Sequence, residues 1–214
     1  MKSLVIFDLD GTLLNTIDDL GLAVNYALNQ MGYPGHLIEA YPRMVGNGVR
    51  RLIERALPPD ARNPQIIDRL LTHFRKHYDE HCCDLTEPYP GIPELVAELT
   101  NRGLNLAVTS NKYQFATEKI VRHFFPNANW RAILGQQPGV PVKPDPSIVF
   151  AALNACPTPK AEVMYVGDSA VDVETARRAC VESTAVTWGF GPVADLRPAD
   201  HVISDPADLL PLLG

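Results

Sequence analysis

The stretch that most limits what this chain can fold into runs from Ser3 to Thr16, SLVIFDLDGTLLNT. Leu4-Val5-Ile6-Phe7 is an unbroken apolar run of strand formers, the pattern of a strand covered on both faces in a parallel sheet. It stops at Asp8-Leu9-Asp10-Gly11-Thr12, so two carboxylates stand two residues apart at the end of a buried strand. Buried carboxylates are costly without a counter-charge. Gly11 lets the backbone turn where a side chain would obstruct it. Taken alone, the turn also reads as an acidic cap on the next helix. The later segments supply matching parts, and these favour a reactive site.

A chain of 214 residues suits one large domain, or one domain carrying a smaller insertion. No apolar run approaches the roughly 18 residues of a membrane span. The apolar run of MKSLVIFDLD is too short for a signal peptide and meets acids at once, so a soluble cytoplasmic protein is expected. The net charge of −6 argues against a nucleic-acid surface. It would also repel an anionic substrate, so any phosphate site must be locally positive or filled by a metal. Cys82, Cys83, Cys156 and Cys180 form no C-x-x-C pair and have no histidine cluster beside them at zinc-site spacing, which points to reduced thiols.

After the opening strand, Asn15-Thr16 reads as a linker, and Thr16 with Asp19 resembles a capping box. Helical spacing then runs through Ile17, Leu20, Val24, Leu28 and Met31 until Gly32-Tyr33-Pro34-Gly35 ends it. A second helix is expected over 37–44, a third through Val49, Leu52, Ile53, Ala56 and Leu57, and a fourth through Ile67, Leu70, Leu71, Phe74 and Tyr78. Residues 16–84 therefore read as a helical cap inserted after the first strand. From Glu87-Pro88-Tyr89-Pro90-Gly91 onward strands and helices alternate. Strands are expected at 104–109, 130–134, 163–166, 184–187 and 201–203, with helices at 93–101, 113–124, 146–155, 170–179 and 206–213. The fold class is α/β: a doubly wound parallel sheet, with residues 1–15 and 85–214 forming a Rossmann-like catalytic core. In such sheets ligands collect at the carboxyl ends of the strands.

That rule selects four segments. Asp8 is placed to attack phosphorus, and Asp10 to protonate a leaving oxygen and later deprotonate water. Thr12 closes the same turn and joins the substrate-binding candidates. In Val108-Thr109-Ser110-Asn111-Lys112, Ser110 and nearby backbone N–H groups would hold a phosphate at a helix N-terminus, or simply cap that helix. In Val142-Lys143-Pro144-Asp145-Pro146, Lys143 would screen charge on the nucleophile, or be a solvated surface lysine. In Gly167-Asp168-Ser169-Ala170-Val171-Asp172, the two aspartates would share a helix face if the helix has begun, with Asp168 alternatively its N-cap. Clustered carboxylates repel unless a proton or cation intervenes, and an all-oxygen site suggests Mg²⁺. Within the cap, the loop Val45-Gly46-Asn47-Gly48 begins a helix, so Asn47 and Gly48 are substrate-binding candidates. Arg50 and Arg51, just beyond, would meet a substrate carboxylate or solvent.

In this order and spacing, DLDGTLLNT, VTSNK, VKPDP and GDSAVDVETA resemble the four motifs of the haloacid dehalogenase-like superfamily of phosphohydrolases. VGNGVRRLIERAL, YPGIPEL and VTWGFGP resemble its phosphoglycolate phosphatase branch. The resemblance implies an aspartyl-phosphate on Asp8, acid–base work by Asp10, and phosphate contacts from Ser110, Asn111 and Lys143. It also implies Mg²⁺ held by Asp8, the backbone carbonyl of Asp10, and Asp168, with Asp172 in support. Dehalogenases of the superfamily lack an acid at the position of Asp10. Its sugar phosphomutases often carry a histidine in the linker that here reads NTIDDLGLA. A non-catalytic binding protein on the same scaffold would not need the full set of catalytic residues. The expected activity is hydrolysis of a small phosphorylated metabolite, 2-phosphoglycolate first, by a monomer or homodimer without nucleic-acid or membrane partners. One departure is Cys180, where the family usually has glycine after a helix, a position at which a side chain would be strained.

Overall fold

The computed structural model describes all of residues 1–214. Its centre is β1, Leu4–Phe7, every residue of which is buried. Alternation along a strand sends Val5 and Phe7 to one face and Leu4 and Ile6 to the other. Val5 and Phe7 enter a hydrophobic cluster of 39 buried residues, and Leu4 and Ile6 one of 13. Both faces of β1 are therefore covered, and strands also pair along both of its edges. The parallel neighbours are β4, Asn105–Tyr113, and β6, Val163–Gly167. Beyond β4 lies β5, Trp130–Gln136, and beyond β6 lie β7, Glu182–Val186, and β8, His201–Ile203. The order β5-β4-β1-β6-β7-β8 is that of a doubly wound sheet, whose chain reverses its direction of winding at the boundary of β1 and β6. Phe7 pairs with Val108 and Val166, and just beyond this level the three central strands bring Asp8, Ser110 and Asp168 to one edge.

Helices α4, Ile92–Asn101, α5, Gln114–Phe124, α6, Ser147–Ala155, and α7, Ala170–Ala179, alternate with these strands. The final 206–213 segment is a 3₁₀ helix. Between Leu14–Asn15 (β2) and Glu87–Pro88 (β3), which pair as a short antiparallel ribbon, the chain is helical. This part comprises α1, Ile17–Gln30, α2, Val49–Ala56, and α3, Pro64–His81, with a 3₁₀ segment at Ile38–Arg43 where a second helix is expected. The larger hydrophobic cluster is continuous from Val5 and Phe7 of the sheet to Leu20, Val24, Leu70 and Phe74 of these helices.

Several local readings change. Thr16 does not cap α1 with its side chain; its hydroxyl donates to Asp10 at 2.6 Å. Asp19, expected to close that box, is buried and accepts from the backbone N–H groups of Leu85 and Thr86 and from the Thr86 hydroxyl, at 2.7–3.1 Å. It clasps the beginning of the inserted helices to their exit. β4 continues to Tyr113, so Ser110 sits in extended chain rather than at the start of α5. The cap of α7 is Ser169, which forms a capping box with Asp172, and Asp168 lies just outside the helix. Cys180 adopts the left-handed conformation at φ 58°.

Two stability outcomes follow from these contacts. Asp19→Ala leaves two backbone N–H groups and a hydroxyl without their acceptor. It should cost about 2–4 kcal/mol, lowering Tm by several degrees in a calorimetric scan. Cys180→Gly removes a left-handed penalty of about 1–2 kcal/mol, partly offset by a more flexible unfolded chain. Its Tm should rise, and an unchanged or lower value would show that the surroundings absorb the strain.

Candidate active site

The carboxyl edge of the sheet opens into a cavity of about 410 Å³ walled on its far side by the inserted helices. Lys143 stands at its base. Although flanked by prolines in an exposed-looking segment, its side chain is buried. Its ammonium meets Asp172 at 2.7 Å, Asp8 at 2.8 Å, the Thr109 carbonyl at 3.0 Å and the Tyr165 hydroxyl at 3.3 Å. Burial alone would lower the lysine pKa, but the carboxylates of Asp172 and Asp8 outweigh it and hold the group well above its ordinary value. Asp8 is pushed the other way. Burial raises its carboxyl well above the usual range, Asp172 adds to this, and Lys143 only partly offsets it.

Asp168 is the third buried acid. The N–H groups of Phe190 and Gly191 donate to its Oδ2 at 2.7 and 3.3 Å, and Thr12 donates to Oδ1 at 3.4 Å. Burial, and then repulsion from Asp172, lift its pKa to about 7. This carboxylate is packed so closely that Gly11, at φ 86°, and Gly189 admit no Cβ without collision. One oxygen each of Asp8, Asp168 and Asp172 lies within 4.8 Å of the other two. Lys143 is the only ammonium placed between these three buried carboxyl groups, so one cation faces three acids. An oxygen-only donor set with uncompensated charge fits a hard divalent cation. Asp172 is already engaged by Lys143, Tyr165, and the hydroxyl and N–H of Ser169, which makes it a support for the other two.

Asp10 is directed elsewhere. Its side chain is outside the three-acid cluster, and Oδ1 receives both the Thr16 hydroxyl at 2.6 Å and the Lys112 ammonium at 3.0 Å. Ser110 lines the cavity and accepts from Lys112 N–H within the extended end of β4. The amide of Asn111 is occupied within the protein: it donates to the carbonyls of Gly46 and Lys143 and accepts from Lys143 N–H. It thus holds Lys143 in place and ties the 45–48 loop to the sheet edge. Thr12 faces Asp168 and is not part of the cavity wall. Asn47 and Gly48 do line the cavity, with Asn47 accepting from Arg55 at 2.6 Å. Arg50 and Arg51 pair with Asp68 and Glu54 on the surface, and the cap arginines at the cavity are Arg43 and Arg55.

Lys112, Tyr78, Arg43 and Arg55 also line the cavity and are not among the candidates of the sequence motifs. Adjacency to Ser110 and Asn111 is the one signal for Lys112, whereas Tyr78 has the spacing of one more apolar position of its helix.

The comparisons with known proteins agree with this geometry. The family model described as haloacid dehalogenase-like hydrolase matches residues 5–186. A phosphoglycolate phosphatase from Aquifex aeolicus is 31% identical over 98% of this chain and 95% of its own length. Phosphoglycolate phosphatase 1 from Pseudomonas aeruginosa is 33% identical over 99% of this chain and 79% of its own. A solved structure from Lactobacillus delbrueckii subsp. bulgaricus has a TM-score of 0.91 and 31% identity, covering 100% of this chain and 99% of that one. With the sheet order, the acidic edge and the matched family all in agreement, the chain belongs to the haloacid dehalogenase-like hydrolases, and among them it is a phosphatase.

Proposed function

We propose that this protein is a Mg²⁺-dependent phosphomonoesterase that acts on 2-phosphoglycolate through an aspartyl-phosphate on Asp8. The observation that carries the reading is the pairing of Asp8 with the buried Lys143 at the base of the cavity, beside two further acids. Mg²⁺, held by Asp8, the Asp10 carbonyl and Asp168 with Asp172 behind them, would act as a Lewis acid toward the phosphoryl oxygens. The protein's own groups do the rest. An Asp8 carboxylate oxygen bonds to phosphorus as the ester P–O bond breaks, and the departing oxygen takes a proton from Asp10. A water molecule then gives a proton to the Asp10 carboxylate and its oxygen to phosphorus. The Asp8–phosphorus bond breaks, releasing phosphate and restoring both acids. Lys143 orients Asp8 and faces the charge that develops on the phosphoryl group.

The substrate assignment is supported by the relatives that carry the name phosphoglycolate phosphatase and by the cavity itself. Its volume suits a small metabolite, and Arg43 and Arg55 on the cap side would face a carboxylate at the end remote from phosphorus. Residues 16–84 serve as the cap and residues 1–15 with 85–214 as the core. The two joints run beside each other in the β2–β3 ribbon, a geometry that suits hinged closure and exclusion of water. Four unpaired cysteines suit a reducing compartment such as the cytoplasm.

Asp8→Asn should reduce turnover at least ~10³-fold while leaving the circular dichroism spectrum unchanged. A folded variant that retains most of the activity, with deamidation excluded by mass spectrometry, would overturn the nucleophile assignment. Metal dependence has a readout apart from activity. Mg²⁺ at about 100 times its Kd should stabilise the metal-free protein by about 2.7 kcal/mol, a Tm rise of roughly 5–11 °C for a chain of this size. Asp168→Asn should largely abolish that rise, and the absence of any Mg²⁺-dependent shift in the wild type would count against the proposed site.

A further inference from the structure

Lys112 is a buried cation outside the residue set that the mechanism uses. Its side chain is 3% exposed. A buried ammonium is stable only with a counter-charge, and here that is Asp10 at 3.0 Å. The backbone of Lys112 is fixed from both sides: its N–H donates to Ser110 Oγ, and its carbonyl accepts from the Thr117 hydroxyl, both at 3.1 Å. The third contact crosses from the core to the inserted helices. The Lys112 ammonium donates to the hydroxyl of the fully buried Tyr78 on α3 at 2.8 Å and lies 4.7 Å from the centre of that ring. Tyr78 is in turn stacked on Phe74, one helical turn earlier.

The two contacts on Asp10 fall on the same oxygen. Oδ1 accepts from Thr16 and pairs with Lys112, which restrains rotation of the carboxyl group and leaves Oδ2 outside both contacts, on a residue that lines the cavity. We propose that Lys112 is a positioning residue that aims Asp10 Oδ2 at the leaving oxygen, and that Tyr78 makes this aim conditional on the helical cap being docked. When α3 is displaced, the ammonium loses both the hydroxyl and the ring, and solvent replaces them. The acid is then free to turn away, so an open site does not waste its proton donor on water. The inference rests on the reading of Asp10 as the general acid.

The test is steady-state kinetics at saturating Mg²⁺ on three donors of decreasing need for protonation: 2-phosphoglycolate, p-nitrophenyl phosphate and acetyl phosphate. Lys112→Met should lower kcat on the alkyl ester about 10- to 100-fold, and on acetyl phosphate less than about 3-fold, with KM little changed. Lys112→Arg should recover part of the loss. Tyr78→Phe, which keeps the ring and removes only the hydroxyl, should show the same ordering with a loss of about 3- to 10-fold on the alkyl ester. Uniform losses across the three donors, or a fall in Tm with kcat intact, would overturn the proposal and leave an ordinary cap–core tie. If Lys112→Met does not fold, Tyr78→Phe decides. Asp10→Asn separates the two readings. If it shows no dependence on the leaving group, the acid assignment itself fails. If it shows that dependence and the Lys112 and Tyr78 variants do not, only the positioning role falls.

Discussion

The structure depends on one buried ammonium. Lys143 sits between Asp8 and Asp172, two acids brought together by strands that are adjacent in the sheet but more than 150 residues apart in sequence. Without it, the carboxyl ends of β1 and β6 would hold like charges in a medium that screens them poorly. The Lys143 backbone is held by Asn111, from the end of β4. Three central strands and one crossing segment therefore meet at a single nitrogen. Asp168 lies outside this pairing, and its carboxylate is steadied only by N–H groups and one hydroxyl, which leaves a cation as its natural partner.

A second ammonium, Lys112, performs a related task for Asp10. The two lysines divide three of the four acids: Lys143 pairs with the proposed nucleophile and its neighbour Asp172, and Lys112 with the proposed proton donor. This division separates two groups that must act in opposite senses at the same moment. In the proposed mechanism Asp8 would donate electrons to phosphorus while Asp10 would donate a proton to the departing oxygen. Both lysine systems also touch the inserted helices, through Asn111 to the Gly46 carbonyl and through Lys112 to Tyr78. The cap is thus joined to the reactive groups by polar contacts as well as by the shared hydrophobic cluster.

The sequence reading was accurate where local pattern decides the outcome. Periodicity located the central strand, the 170–179 helix and the all-helical stretch after β2, because apolar spacing reports which faces are buried. Its errors lie where a side chain had two available partners. Thr16 and Asp19 have the spacing of a capping box, yet each makes a tertiary contact instead, with Asp10 and with Leu85 and Thr86. For Arg50 and Arg51 the sequence leaves a substrate carboxylate or solvent open, and the helix turns them to surface acids while bringing Arg55 to Asn47. Spacing within a helix is local, whereas the direction a polar side chain takes depends on what is packed opposite.

By itself, the sequence determined the α/β class, the position of the helical insertion, and the identity of the acids and the lysine at the strand ends. Each of these is written in contiguous residues: an apolar run, a following Asp-x-Asp, a lysine between prolines. The tertiary structure decided which charges neutralise which. It assigned Lys143 to Asp8 and Asp172, gave Lys112 to Asp10 and Tyr78, and kept Asp10 outside the three-acid cluster. The physical reason is range: a hydrophobic pattern is set by neighbours along the chain, but the partner of a buried charge is whichever group the finished packing places within about 3–4 Å of it.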